Sequence, residues 1–516
     1  MPVSVSELGW GEGEVSNFGV RFGASRYHGS MFFAASIVLS WAAAPPNVLL
    51  ILVDDLGWQD TSLSFGVNPK VIGRHFRTPN LEALAKRGVQ VNQAYSASPV
   101  CTPSRVAILT GQNPGRNKIT TWVHSGQETE SPYPGLDLSQ WNMKGFQPGD
   151  APTLPEAFWR AGYRTIQIGK AHFGAAGTAG ANPLNLGFDR SIAGNAAGHP
   201  SSYYGLENFA APRKPGETTV KHNDVPGLEA YHGKDAFLEE ALASEASREI
   251  EQAVKDRKPF FLWYSPYAVH TPIQPNKKLL KNYRGLDDRE AAYATLVESV
   301  DRGLGTLVHA LKKSGQLDNT IIVFTSDNGG LSQSARGGYP NLHNLPLRSG
   351  KGSAYEGGMR VPLVFAGPGV ASWKSFTRLW MTSTDLPATL AGLAGLRFDA
   401  IDGRSFSSNL QSGEDRDRTG AIVWHFPHYR GGGGPGLEPF SSVRVGDFKA
   451  IFFYGTRRWE LYNLKNDLGE TNDISQRQSQ KLRELAALLS SQLTGMGAQL
   501  PSDAGTHRPI AVKVSP

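Results

Sequence analysis

Apolar and polar positions alternate along this chain on two periods, and the points where each period stops carry as much information as the runs themselves. Four short runs are almost wholly apolar and bounded by polar residues: 47–53, 163–168, 259–264 and 320–324. Runs of that length predict strands buried on both faces, as in a parallel sheet. Between them the spacing turns helical. Leu296, Val297, Val300, Leu304, Leu307, Val308 and Leu311 recur at three- and four-residue intervals up to Gly315, which predicts a helix with one buried face. Thr78-Pro79-Asn80 opens another helix through Leu81 and Leu84 to Gly88, with Pro in its first turn and Gly past its end. Thr153 and Glu156 form a capping box for a helix closed by Gly162, directly before the 163–168 strand.

Strands alternating with helices predict an α/β fold, a mainly parallel sheet sandwiched by helices. Near residue 395 the pattern changes. Segments 421–424, 441–445, 449–454 and 459–462 read as short hairpin-linked strands followed by a helix over 479–493. A smaller C-terminal antiparallel sheet and helix are expected there. The organisation predicted is an N-terminal extension over 1–44, a main α/β domain over 45–395 and a smaller α+β subdomain over 396–516. Gly-, Pro- and polar-rich stretches at 124–150, 174–232 and 428–438 predict long loops of the kind that shape binding sites.

Charge and the N-terminus narrow the setting. Lys plus Arg number 52 against 46 Asp plus Glu, a surplus that permits an anionic substrate without demanding one. The chain has no basic run, zinc-ligand spacing or RNA-binding aromatic signature, so no nucleic-acid partner is expected. Residues 31–44 are an apolar run too short to span a bilayer and read as the core of a secretory signal. Arg21 and Arg26 lie upstream, and Ser40-Trp41-Ala42 offers a small-x-small cleavage site. Glu7, Glu12 and Glu14 suit a signal start poorly, which makes Met31 a candidate start. The expectation is a periplasmic or secreted protein with no stable membrane insertion after signal removal.

Each of the four apolar strands stops on chemistry. The first ends in Asp54-Asp55, the second in Gly169-Lys170-Ala171-His172, and the third leads through Ser265-Pro266 to His270-Thr271-Pro272. The fourth ends in Asp327-Asn328-Gly329-Gly330. Ligands of open α/β sheets bind beyond the carboxyl ends of strands, so the four clusters are expected to share one crevice. Asp54, Asp55, Asp327 and Asn328 offer only oxygen ligands, which suits a hard cation and Ca²⁺ better than zinc. Arg105, Lys170 and Lys351 supply positive charge that fits a sulfate or phosphate group. Trp424-His425-Phe426-Pro427-His428-Tyr429 ends a predicted C-terminal strand. Its His425 and His428, with Trp122, His124 and His199, make a candidate sugar subsite; equally, the cluster packs the two domains together.

The single cysteine of the chain, Cys101, cannot form an internal disulfide. It stands in Cys101-Thr102-Pro103-Ser104-Arg105, followed by two residues, two apolar ones, Thr110 and Gly111. With Pro103 at the first helical position, the sulfur is expected beside a helix N-terminus and a fixed cation. This signature resembles that of the formylglycine-dependent sulfatases of the alkaline phosphatase superfamily. Residues 162–172 resemble the family's second signature, with Ala171 where members often carry an aromatic residue. The resemblance runs from 47 to about 475. It implies oxidation of Cys101 to formylglycine by a formylglycine-generating or anaerobic sulfatase-maturating enzyme, and Ca²⁺ held by Asp54, Asp55, Asp327 and Asn328. It further implies that Arg105, Lys170 and Lys351 hold the sulfonyl oxygens, that His270 with Lys351 serves the leaving oxygen, and that His172 takes a proton from the second hydroxyl of the hydrated aldehyde.

The function implied is hydrolysis of a sulfate ester on a sulfated saccharide, of galactose or N-acetylhexosamine type, as in bacterial carbohydrate sulfatases. Two alternatives remain at the level of sequence. One keeps the fold and metal with Cys101 unmodified, as a phosphodiesterase or phosphonate monoester hydrolase. The other is a non-catalytic binder of sulfated glycans, which has no need of the acid and base residues present.

Overall fold

The computed structural model describes residues 44–66, 75–124, 132–138, 141–212, 221–429, 431 and 434–514. The signal-like features before residue 44, including Arg21, Arg26 and the 40–42 cleavage site, lie outside the described residues. Strands in chain order are β1 (Asn47–Val53), β2 (Gly88–Tyr95), β3 (Leu136–Asp137), β4 (Arg164–Gly169), β5 (Arg190–Ile192), β6 (Phe260–Ser265), β7 (Thr320–Ser326), β8 (Arg360–Val361), β9 (Leu363–Ala366) and β10 (Lys374–Thr382). They continue with β11 (Ile422–Phe426), β12 (Phe440–Val445), β13 (Phe448–Phe453), β14 (Arg458–Asn463) and β15 (Ser502–Asp503).

Among the described residues nine strands make the main sheet, in the order β10-β2-β9-β7-β1-β6-β4-β5 with β8 also against β2. The segment β7-β1-β6-β4-β5 is parallel throughout. β9 runs antiparallel to both β7 and β2. The reason β1 reads as an unbroken apolar run is visible in its two neighbours above and below the sheet. Leu49, Ile51 and Val53 enter one core and Val48, Leu50 and Leu52 the other, so no position faces water.

The four predicted strands of the sheet form within a residue or two of their expected bounds. So do the helices: Asp288–Lys313 carries the leucine stripe, and Thr153 and Glu156 make the predicted capping box of Leu154–Arg160. One terminus differs. The helix Pro79–Lys86 closes at Arg87, and Gly88 opens β2 instead of capping the helix. β2, β9 and β10 were not anticipated, because Gln90, Asn92 and Gln93 break the apolar pattern of β2 and a register shift interrupts β10 between Phe376 and Trp380.

β11 to β14 form a four-stranded antiparallel sheet in simple sequence order. The helix Ser479–Met496 covers one face through Leu482, Leu485, Leu489 and Leu493. The opposite face presents Trp424, Phe426 and Phe453 to Tyr95, Trp380 and Tyr355 of the main sheet's side. From Ala44 onward the chain is one compact unit. No helix among the described residues is long and apolar enough to cross a membrane.

Candidate active site

Register places the chemistry. Val53 of β1 pairs with Ser326 of β7, Ile51 with Tyr264 of β6, and Gly169 of β4 with Ser265 of β6. Asp54, Asp327, Lys170 and Ser265 therefore emerge side by side at one edge. Gly169 sits at φ +92°, and a Cβ there would lie 2.0 Å from the Ser265 carbonyl oxygen, so this exit from β4 admits only glycine. Asp55 and His172 are themselves left-handed, at φ 60° and 54°. Such residues cost about 1–3 kcal/mol each and persist where their surroundings hold them. The Asp55 N–H donates to Asp327 Oδ1 at 3.2 Å, and the His172 N–H donates to the Asn195 carbonyl at 3.0 Å.

Cys101 begins the helix Cys101–Thr110, with Val100 as N-cap. Pro103 falls within the first turn, not at its first position, so the helix starts two residues earlier than predicted. Arg105, one turn on, is wholly buried: Nε donates to Asp327 Oδ2 at 2.8 Å, and Nη1 to Ser265 Oγ at 2.7 Å and to the Lys170 carbonyl at 2.8 Å. Its Nη2 has no hydrogen-bond partner and lies 3.7 Å from Asp54 Oδ1. Lys170 Nζ bonds both Asp54 oxygens at 2.7 and 2.8 Å. Lys351 Nζ lies 2.6 Å from Asp55 Oδ1, and Asn328 Nδ2 donates to the same oxygen at 2.8 Å.

Burial sets the electrostatics. It pushes the Asp54 carboxyl up to about 8, with Lys170 opposing and Asp327 and Asp55 assisting. For Asp55, burial is outweighed by Lys351, His270 and Lys170, which hold it below the ordinary carboxylate range. Burial, reinforced by Lys170, pushes His172 well below its usual value. His270 moves the same way, through burial and Lys351, although Asp55 Oδ2 is 3.6 Å from its Nε2. His172 Nε2 lies 2.8 Å from the Val123 carbonyl, which fixes the proton there. Its buried Nδ1 has no partner and is left as an acceptor.

The donor set suits a hard cation. Oxygens of Asp54 and Asp327 and the sulfur of Cys101 all lie within 4.8 Å of one another. Asn328 Oδ1 is buried without a hydrogen-bond partner, an amide oxygen whose burial is costly unless something positive meets it.

Above these residues is a cavity of about 450 Å³ whose lining includes Cys101, His172, His270 and Lys351. Trp122, His124 and His199 line it too, as the sequence suggested. His425 and His428 do not. Both are buried: His425 bonds Ser441 Oγ at 2.7 Å and the Gln499 carbonyl at 2.9 Å, and His428 Nε2 bonds Thr120 Oγ1 at 2.7 Å. The structure does not bring them to this cavity: His425 is held within the C-terminal part of the chain by Ser441 and Gln499, and His428 ties that part to Thr120. Asn223, Gly198 and Gln333 line the cavity and were missed. They sit in loops without periodic pattern; only the length of the 174–232 stretch signalled the first two.

A family profile described as Sulfatase matches residues 46–396, and one described as N-sulphoglucosamine sulphohydrolase, C-terminal, matches residues 350–499. A sulfatase of Formosa agariphila is 29% identical over 520 residues, covering 90% of this chain and 91% of its own length. The N-acetylgalactosamine-6-sulfatase of Homo sapiens is 31% identical over 447 residues, covering 84% of this chain and 77% of its own length. Among solved structures, the crystal structure of Ps i-CgsB superposes with TM-score 0.72 at 29% identity, covering 87% of this chain and 93% of that one.

Proposed function

The chain belongs to the sulfatase family and is a sulfuric ester hydrolase; we propose that it acts on a saccharide sulfated on galactose or N-acetylhexosamine, through a formylglycine made from Cys101 and with bound Ca²⁺. The observation that carries this reading is the convergence of Cys101, at a helix start, with Asp54 and Asp327, just past the carboxyl ends of β1 and β7, beside a cavity that Cys101, His172, His270 and Lys351 line. The N-acetylgalactosamine-6-sulfatase relatives, and the structure of Ps i-CgsB in complex with k-i-k-neocarrahexaose, support the sugar class.

Asp54, Asp55, Asp327 and Asn328 are the residues that would hold the cation, which would supply positive charge to the reacting group. Formylglycine supplies an oxygen nucleophile and, through its second hydroxyl, a route for sulfate to leave. Arg105 and Lys170, both wholly buried, carry positive charge beneath the site, where low local polarity strengthens their stabilisation of charge developing on the sulfonyl oxygens. Lys351 and His270 serve the leaving alcohol oxygen as proton or hydrogen-bond donors. His172 accepts the proton of the second hydroxyl at its unpartnered Nδ1. Maturation by a formylglycine-generating or anaerobic maturating enzyme, and a periplasmic or secreted location, belong to the same reading.

The test is sulfate release by matured protein from 6-sulfated N-acetylgalactosamine and from sulfated galactose. Cys101→Ala is expected to lower kcat by about 10³-fold or more. Chelation is expected to lower both rate and Tm, with Ca²⁺ restoring each. Unchanged release by Cys101→Ala, or phosphodiester turnover far above sulfate-ester turnover, would sink the proposal.

A further inference from the structure

A second cavity of about 470 Å³ adjoins the first. The two share Gln333 and Lys351 in their linings, so they meet at the lysine assigned to the leaving oxygen. Among the described residues the second cavity is lined by Ser332, Gln333, Ser334 and Asn341 together with Ala335, Pro340 and Leu437, and by no carboxylate. That composition suits the hydroxyls of a sugar and does not repel an anionic glycan.

Its walls are held from beneath. Arg336 is buried and donates to both oxygens of Asp60 at 2.9 and 3.0 Å, and to Glu290 at 3.0 and 3.1 Å. His343 bridges the Gly337 carbonyl at 2.7 Å and Ser332 Oγ at 3.1 Å. Asn344 Nδ2 ties the Gly330 and Ser349 carbonyls across the base at 3.0 and 2.9 Å. A polar cleft anchored this way needs little ordering on binding. Beside it, next to the lining residue Pro340, Tyr339 is 81% exposed. An aromatic ring left in solvent beside a polar cleft is the arrangement on which sugar faces stack, since the apolar body meets ring C–H groups while the hydroxyl stays wet.

Resting on the saccharide reading above, we propose that this second cleft is a further sugar subsite, and that the substrate is an oligosaccharide bound across both cavities with its sulfated unit at the Lys351 junction. Gln333 lies under the linkage between units, Asn341 and Ser334 bond hydroxyls of the neighbouring sugar, and Tyr339 stacks on it.

The experiment measures calorimetric binding to full-length Cys101→Ala, so that turnover plays no part. Two probe pairs are both measured: 6-sulfated N-acetylgalactosamine against a chondroitin 6-sulfate hexasaccharide, and sulfated galactose against its galactan hexasaccharide, with sulfate release by the unmutated protein assayed on each. The hexasaccharide is expected to bind about tenfold tighter or more than the monosaccharide, about 1.4 kcal/mol. Adding Tyr339→Ala, or Asn341→Gly, which keeps a backbone already at φ 69°, is expected to remove most of that advantage. Equal affinity for the two probes, or an advantage that survives both substitutions, overturns the subsite. Sulfate release from the monosaccharide with no hexasaccharide preference would leave the function standing and remove the cleft. A hexasaccharide preference without any sulfate release would do the reverse.

Discussion

Asp55 and His172 hold left-handed backbones, and the side chain of each is fixed by neighbours, Asp55 by Lys351 and His172 by the Val123 carbonyl. The same economy of position appears beneath the second cleft, where Glu290 takes bonds from Arg336 and from His75 at 2.9 Å. Burial raises the Glu290 carboxyl, but the His75 hydrogen bond and Arg336 outweigh it and hold it at about 2, against an ordinary 4.5. A folded value below the unfolded one contributes stability that is fully present above about pH 4.5 and lost as pH falls toward 2, on the order of 3 kcal/mol. Urea unfolding of Glu290→Gln is expected to show a shallower loss of stability between these limits than the parent; equal slopes would mean that the Arg336 network does not couple to pH. Cys101 and Arg105 were legible only through their short signature, whereas Asp54, Asp55, Lys170, His172, His270, Asp327 and Asn328 were legible because each follows an apolar run. His425 and His428 misled for the same reason: a strand end in the small sheet faces Ser441, Thr120 and the Gln499 carbonyl, not the crevice.

Among elements, the exit of β4 is the tightest. Gly169→Ala must place a methyl group against the Ser265 carbonyl while keeping φ at +92°. The expected cost is about 2–3 kcal/mol in chemical unfolding, together with a fall in kcat as Lys170 shifts from Asp54. A variant with parental stability and rate would show that β4 and β6 are not held as described. β1, β4, β6 and β7 could be read from sequence because strands covered on both faces must be apolar throughout. β2 could not: it has Gln90 and Asn92 buried among polar partners, with Gln90 Nε2 donating to Asn92 Oδ1 at 2.7 Å, so its pattern is satisfied by side-chain hydrogen bonds and not by apolar contact. The helix at Cys101 was foreseen, but its start was set by the chain entering from Val100 and not by Pro103.

For the molecule as a whole, the two sheets are joined by a buried cluster of charge as well as by aromatic packing. Lys449 Nζ of β13 lies 3.1 Å from Glu356 Oε1 and 2.9 Å from Glu470 Oε1, and Tyr95 of β2 donates to Glu356 Oε2 at 2.7 Å. Removing the cation strips Glu470 of its positive partner and leaves Glu356 with Arg360 Nη1 at 3.4 Å, so Lys449→Ala is expected to cost about 3–5 kcal/mol in urea unfolding. A loss within about 1 kcal/mol would show that the aromatic contacts alone hold the sheets together. No local motif announces this cluster, since its members are far apart in sequence and meet only once both sheets exist. The central claim, that Cys101 becomes the sulfatase nucleophile, is tested most directly by the mass of the tryptic peptide containing Cys101. The protein should come from a host shown to mature a control sulfatase. The account predicts a peptide carrying the aldehyde or its hydrate in place of the thiol. An intact thiol in protein that releases sulfate at full rate would contradict it.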